Sequence, residues 1–393
     1  MKPIRLLIPF LVAVLATPLV ACGPSHVQLD PRQVANVSVR PASGQKFFCP
    51  GDAFQVEVIA KLNDGSTCSS VEPALGCMGE KDAVIDPDDI RLNGDSGKME
   101  DKSEWIWMPP SNPLATAASG ITFTAWLETT IDDELLKSSQ GTAELTPVYD
   151  CQQKDAFGFA PPDDPDFLGK LLGQTGEPPA DGADGQSGPN LEIAVTALST
   201  PFYPNAALIR VRGDQSTRYY ISPSVDKPVT IVTRGEDGHP GRAGEAGRAG
   251  SDGRDATSTC GRGGDGGDGT AGTAGSDGGN GGNGGSIVMM LDEASADTLR
   301  HRVLASSRGG KAGRGGHGGV GGRRGYGGDA GPSGKDCKGE KGKSGEPGRD
   351  GPSGARGQAG TSGGLRVETV PREALFGKEL GIIRKIEAAK AKR

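Results

Sequence analysis

Few side chains in this sequence could do chemistry, and their spacing narrows what that chemistry is. There are seven cysteines: Cys22, Cys49, Cys68, Cys77, Cys151, Cys260 and Cys337. None belongs to a C-x-x-C pair, so neither a tetrahedral metal site nor a redox motif is spelled out. With Cys22 set aside, six remain, an even number that suits up to three disulfides in an oxidising compartment. The candidate bonds are Cys260–Cys337, Cys68–Cys77 and Cys49–Cys151, and the last two are one of three pairings open to the four N-terminal cysteines. His26, His239, His301 and His317 stand apart, with no HExxH and no spacing that suggests a Ser–His or Cys–His pair. The acidic run "DPDDIRLNGDSG" at 86–97 puts Ile90 where an EF-hand loop needs its third oxygen ligand, so it reads as a solvated loop. "KGEKGKSG" at 338–345 nearly spells a phosphate-binding loop, but the place of its first glycine is Cys337. Arg212-Gly213-Asp214 lies between two apolar runs and reads as a hairpin turn. The expectation is a non-enzyme without metal or cofactor.

The N-terminus carries a different kind of chemistry. Lys2 and Arg5 precede an apolar run from Leu6 to Val14, and "PLVAC" follows at 18–22. A basic start, a short apolar run and small residues at the cut mark an export signal. Leu19-Val20-Ala21-Cys22 resembles the lipobox of bacterial lipoproteins. That resemblance implies cleavage between Ala21 and Cys22, lipid on Cys22, and attachment to a membrane through that anchor. Gly23, rather than Asp, then implies the outer membrane, its face left open. No later run is long and apolar enough to span a bilayer. A net charge of −7 argues against a general nucleic-acid binder.

The elements that would position these residues are mainly strands. Residues 1–21 form the signal and 22–33 a tether from the lipid. Over 34–151, "ANVSVRP", "AFQVEVIAKL", "ITFTAWLETT" and "GTAELTPV" alternate apolar and polar residues between turn residues, as half-buried strands do. This region, with a net charge of −11 over 34–150, predicts a β-sandwich. Its "CPGDAFQVEVIAKLNDGST" resembles bacterial immunoglobulin-like modules of surface proteins. Residues 152–189 read as an acidic Pro/Gly linker, although Gly182, Gly185 and Gly188 keep one phase of three. A second β-module then spans 190–370, beginning with "LEIAVTAL", "AALIRVRG", "RYYISP" and "PVTIVTRG". "ASADTLRHRVLASSRGG" predicts a short helix, begun near Ser295 or Asp297 and ended at Gly309. The basic stretch 371–393 predicts a C-terminal helix, solvated or resting on anionic lipid.

Half of the second module is glycine at every third residue, in tracts 235–253, 263–285, 309–334 and 339–363. Three residues per turn is the period of the polyproline-II helix. A collagen triple helix shares that period, yet only Pro240, Pro332, Pro347 and Pro352 fall between 235 and 363, far below collagen's share. Runs such as "GGDGGD" and "GGNGGN" leave two of three edges as bare backbone. Such edges let chains approach closely and bond through main-chain groups that this helix cannot satisfy internally. The tracts resemble the polyglycine-II bundles of snow-flea antifreeze proteins and phage tail-fibre tips. The resemblance implies an antiparallel bundle with the second and third tracts at its centre and Cys260 beside Cys337. The chain as a whole resembles Gly-rich, collagen-like lipoproteins of Gram-negative bacteria. This implies a structural or adhesive surface role, or an envelope receptor that holds a glycan or protein through the sandwich. A monomer is favoured, with a trimer as the collagen-like alternative.

Overall fold

The computed structural model describes residues 25–72, 77–78, 83–159, 180–213 and 216–390. The fold is mainly β, with 34% strand and 10% helix. It divides into two compact units.

The first unit comprises residues up to Lys46, Ala53–Met108 and Thr122–Glu144. Its strands are β1 (Ser25–Val27), β2 (Val34–Pro41), β4 (Phe54–Leu62), β5 (Thr67–Ser69), β6 (Ala83–Ile85), β7 (Ile90–Gly94), β8 (Lys98–Asp101), β9 (Ile106–Met108), β10 (Ile121–Ile131) and β11 (Glu134–Lys137). One sheet has the order β2-β4-β9-β8, with β5 on β4; in another, β10 pairs with β7 and β11. Alternation decides their faces: Phe123, Ala125 and Leu127 of β10 are buried, while Thr124 and Trp126 between them are not. The two sheets meet where Phe123 stands edge-on to Trp107 at 5.0 Å and to Phe54 at 6.1 Å. Two expectations are corrected here. Ser25–Val27, read as tether, pairs in parallel with Ala83–Ile85. The acidic run at 86–97 contains strand β7, paired with β10, because Ile90 and Leu92 supply the alternation a strand needs.

The second unit holds β3 (Phe47–Phe48), residues 109–121 and everything from Leu145 onward. β3 lies parallel to the end of β12 (Gly141–Pro147). From there the chain builds two facing sheets. The smaller is parallel, in the order β13 (Lys154–Gly158), β17 (Val229–Arg234), β19 (Val303–Arg308). The larger runs β16 (Thr217–Ser222), β15 (Ala206–Arg212), β14 (Leu191–Leu198), β18 (Ile287–Asp292), β20 (Leu365–Val370). Ile193, Val195, Ile209, Met289 and Leu291 of the larger sheet pack with Phe157, Val229, Ile231 and Val303 of the smaller. The opposite face, through Ala194, Leu198, Leu208 and Ile221, packs on Leu375, Phe376, Ile383 and Ile386 of helices Arg372–Phe376 and Leu380–Lys390. One face of the C-terminal helix is therefore buried against the sheet, while Arg384, Lys385 and Lys390 on the other face stay exposed. The helix expected after Ser295 is only Ala296–Leu299; the next residues form β19, whose Val303 faces Val229 in register.

Each glycine tract prolongs a strand of this module. β17 and β19 lie side by side in parallel, and beyond them Gly235 N–H donates to the Arg308 carbonyl at 3.0 Å and Gly238 N–H to Lys311 at 2.8 Å. The pattern repeats every third residue as far as Gly253 N–H to Tyr326 at 2.8 Å. β18 and β20 do the same for the second and fourth tracts, from Gly263 N–H to Glu340 through Gly284 N–H to Thr361. The second tract also bonds the first antiparallel, Gly264 to Arg254 through Gly282 to Glu236. The third bonds the second (Gly310 to Gly282 through Gly331 to Gly261), and the fourth bonds the third (Gly342 to Gly328 through Gly360 to Gly310). The second and third tracts each bond three others and thus lie centrally. Gly182, Gly185 and Gly188, expected in a linker, form a fifth segment: Gly185 and Gly188 donate to the Asn280 and Asn283 carbonyls at 2.7 and 2.8 Å. Lys154–Gly158, also in that expected linker, is strand β13.

Glycine is demanded here by space. No glycine between 235 and 363 has a positive φ, so conformational freedom is not the reason for it. A Cβ at Gly322 would come within 3.0 Å of the Arg248 carbonyl, while Gly322 itself donates to Thr270 and accepts from Gly348. Gly322→Ala should therefore push the third tract off the first, disturb its bonds to the second and fourth, and destabilise the second unit by about 1–3 kcal/mol, the usual penalty of overpacking. Val320→Ala, at a side chain 67% exposed, should stay within about 0.5 kcal/mol of wild type. Thermal unfolding of the two variants checks this, and equal losses would contradict it.

Candidate functional site

The residues between the glycines decide what the tracts can contact. In each triplet one or two amides are bonded to a neighbouring tract as above, and the rest are left over. The second tract, "GGDGGDGTAGTAGSDGGNGGNGG", shows how many such amides are satisfied. Asp265, Asp268 and Asp277 accept the amides of Lys343, Glu346 and Ala355, each at 2.7 Å. Asn280 and Asn283 accept those of Gln358 and Thr361 at 2.8 Å. These pairs share an offset of 78 residues. At that offset Ala274 faces Pro352, which has no amide to offer, and Ala271 faces the Arg349 amide, which bonds no acceptor among the described residues. Thr270, Thr273 and Ser276 accept the amides of Arg248, Glu245 and Arg242 at 2.7 Å. Where the fifth segment lies alongside, at Gly279, Gly282 and Gly285, a Cβ would strike the carbonyls of Ala183, Gln186 and Pro189, and only glycine occurs. The Lys343 amide, helped by the Arg262 charge, holds the Asp265 carboxyl below its ordinary value. The acids of this tract thus bond amides of the fourth tract and do not pair with the cations of the third, as simple charge complementarity would suggest.

A second cluster fixes the C-terminal helices to the sheet. Arg210 is buried, donates to Glu379 at 3.2 Å and to Glu192 at 3.5 Å, and lies 5.0 Å from the centre of the Phe376 ring. Tyr219 donates its hydroxyl to Glu379 at 2.7 Å. Sequence reading missed this clasp because its members come from β14, β15, β16 and the C-terminal helices, with Glu379 in the turn between the helices 169 residues from Arg210.

The structure joins Cys49 to Cys151, Cys68 to Cys77 and Cys260 to Cys337. The third bond ties the turn after the first tract to the turn before the fourth. Asp52 comes near the first bond, but bonded sulfurs have no thiolate to offer a metal. Ala21 and Cys22 lie outside the described residues, as does Asp214; Gly213 N–H donates to Ser216 in the turn between β15 and β16. In the run at 86–97, Asp89 accepts the Leu29 amide, Asp95 the Thr122 amide and Asp88 the Lys102 ammonium. Those carboxylates brace the unit. Among the described residues the histidines do not converge, and His239 contacts Glu236 at 3.2 Å. "KGEKGKSG" lies in the fourth tract, extended and bonded to its neighbours.

The chain matches no protein family model, no curated protein and no solved structure.

Glu379 gives the clasp a pH dependence. Burial pushes its carboxyl up, yet the Tyr219 hydroxyl and the Arg210 charge together bring it below the usual glutamate value. A carboxyl depressed in the folded state adds stability above its unfolded pKa of about 4.3 and loses it as pH falls through the folded value. Glu379→Gln should accordingly lower Tm at neutral pH, with the gap to wild type closing on acidification below about pH 4. A gap that stays constant between neutral and acid pH would show that the charge on Glu379 plays no part.

Proposed function

We propose that this protein is an envelope lipoprotein of a Gram-negative bacterium, anchored at the outer membrane through lipid on Cys22, with a structural or adhesive role. In this reading the first unit is an immunoglobulin-like sandwich. The glycine tracts form an antiparallel polyglycine-II bundle that serves as spacer and contact surface. The observation that carries it is the bonding of the tracts to one another. Triplet after triplet, amides find carbonyls within the one chain, and the remaining side chains are presented outward in rows at a fixed repeat. A lattice built this way is a display surface. The export signal and the Leu19-Val20-Ala21-Cys22 match support attachment, and the three disulfides accord with an oxidising compartment.

Two measurements test this. Cys22→Ala should abolish incorporation of labelled fatty acid and release the protein from the membrane fraction; continued labelling would refute the anchor. Light scattering of the purified chain should give the molar mass of a single copy, because the tracts already bond to one another within the one chain. A trimer would favour the collagen-like alternative and overturn the intramolecular bundle.

A further inference from the structure

The seam between the first and third tracts differs from the seam just described. At an offset of 74 residues, Asp237 accepts the Lys311 amide at 2.7 Å, Asp252 that of Tyr326 at 2.7 Å and Asp255 that of Asp329 at 2.6 Å. Between Asp237 and Asp252 the same positions hold Pro240, Ala243, Ala246 and Ala249. These have no side-chain acceptor. The amides they face belong to Arg314, His317, Val320 and Arg323, and the register is kept there by Gly241, Gly244, Gly247 and Gly250 donating to those residues' carbonyls at 2.7–2.8 Å. Among the described residues, none of the four amides bonds a protein acceptor, and all four residues are exposed.

The same stretch is cationic. From Lys311 to Tyr326 the third tract contains Lys311, Arg314, Arg323 and Arg324 and no acidic residue. Lys311, Arg314 and Arg323 make no ion pair within the described chain, and Arg324 stands 6.0 Å from the Tyr326 ring centre. The first tract contributes Arg242 and Arg248, with Glu245 as the one acid between them. The fourfold run of open donors therefore coincides with the run of unpaired cations. Its two ends show what fits, since Asp237 and Asp252 each place a carboxylate oxygen on such an amide.

We propose that this seam binds an extended acidic polysaccharide, with carboxylates of the uronate type seated on the open amides of Arg314, His317, Val320 and Arg323. This rests on the reading of the bundle as a contact surface and names its partner. Successive amides recur every three residues, about 9.3 Å at about 3.1 Å per residue. Alternate sugars of an extended uronate chain present carboxylates on one face at a comparable repeat. Arg314 and Arg323 supply charge-assisted bonds to the carboxylates at the two ends of the run, the alanine row leaves a shallow floor for the sugar rings, and Tyr326 offers a ring face at one end.

The amides can be closed without altering charge. In the variant Ala243→Asn, Ala246→Asn, Ala249→Asn, the new side chains should accept the amides of His317, Val320 and Arg323 as Asn280 and Asn283 do across the other seam. Titration of the full chain with a size-defined oligogalacturonate should show saturable binding to wild type, weakened by salt. The triple variant, with Tm unchanged or raised, should bind at least about tenfold more weakly, as expected for the loss of several charge-assisted bonds. Arg314→Gln with Arg323→Gln should weaken binding similarly. Undiminished binding by the triple variant would overturn the amide track. So would tighter binding of single-stranded DNA or polyphosphate than of oligogalacturonate, which would indicate a general polyanion surface. Failure here leaves the anchored-lipoprotein reading intact, since fatty-acid labelling of Cys22 is read independently.

Discussion

The second unit depends on the close approach of one extended backbone to another. A three-residue-per-turn helix makes no hydrogen bonds within itself, so each tract is stable only where its amides reach carbonyls on neighbouring tracts. The observed N–O distances of about 2.7–3.1 Å along these pairs place backbones so near that a methyl group in the contact phase has nowhere to go. Glycine loses more conformational freedom on folding than any other residue. The lattice must offset that loss with bonds in several directions at once, which is why the central tracts touch three others.

Bonds between repetitive tracts do not define a register, because a slip of three residues would preserve every one of them. The β-module supplies what the repeat lacks. Strands β17 and β19, and β18 and β20, are locked by unique apolar side chains such as Val229, Ile231, Met289 and Leu291. Their parallel pairings continue directly into the tract pairings. At the far end Cys260–Cys337 closes the arrangement. The Asp and Asn residues add a finer check, since they satisfy amides only at the offset the strands impose.

Much of this architecture is legible in local spacing. Strict phase marks the tracts, doubled glycines mark the central ones, and alternation finds most strands. Other features are hidden for definite reasons. Lys154–Gly158 and Gly182–Gly188 read as linker because neither stretch carries an apolar pattern of its own; their order comes from partners far along the chain. Val303–Arg308 reads as helix because local propensity outweighs a pairing with β17 that only the fold provides. The terminal helices read as surface because their basic residues dominate, whereas Leu375, Phe376, Ile383 and Ile386 decide their burial.

By itself the sequence determined the period, the number of long tracts, the cysteines available to staple them and the mainly β character of the rest, because these follow from local spacing. Only the tertiary structure decided which tract lies beside which, and therefore why Ala274 stands opposite Pro352 and why Asp237 and Asp252 bound a run of alanines. Those choices depend on offsets of 74 and 78 residues, set by strand pairing in the module beneath. No window of sequence contains both partners. The run at 263–285 is thus largely a record of its neighbours: Asp or Asn opposite five amides of the fourth tract, Thr or Ser opposite three of the first, and glycine where another backbone passes, with Ala271 opposite the Arg349 amide as the exception.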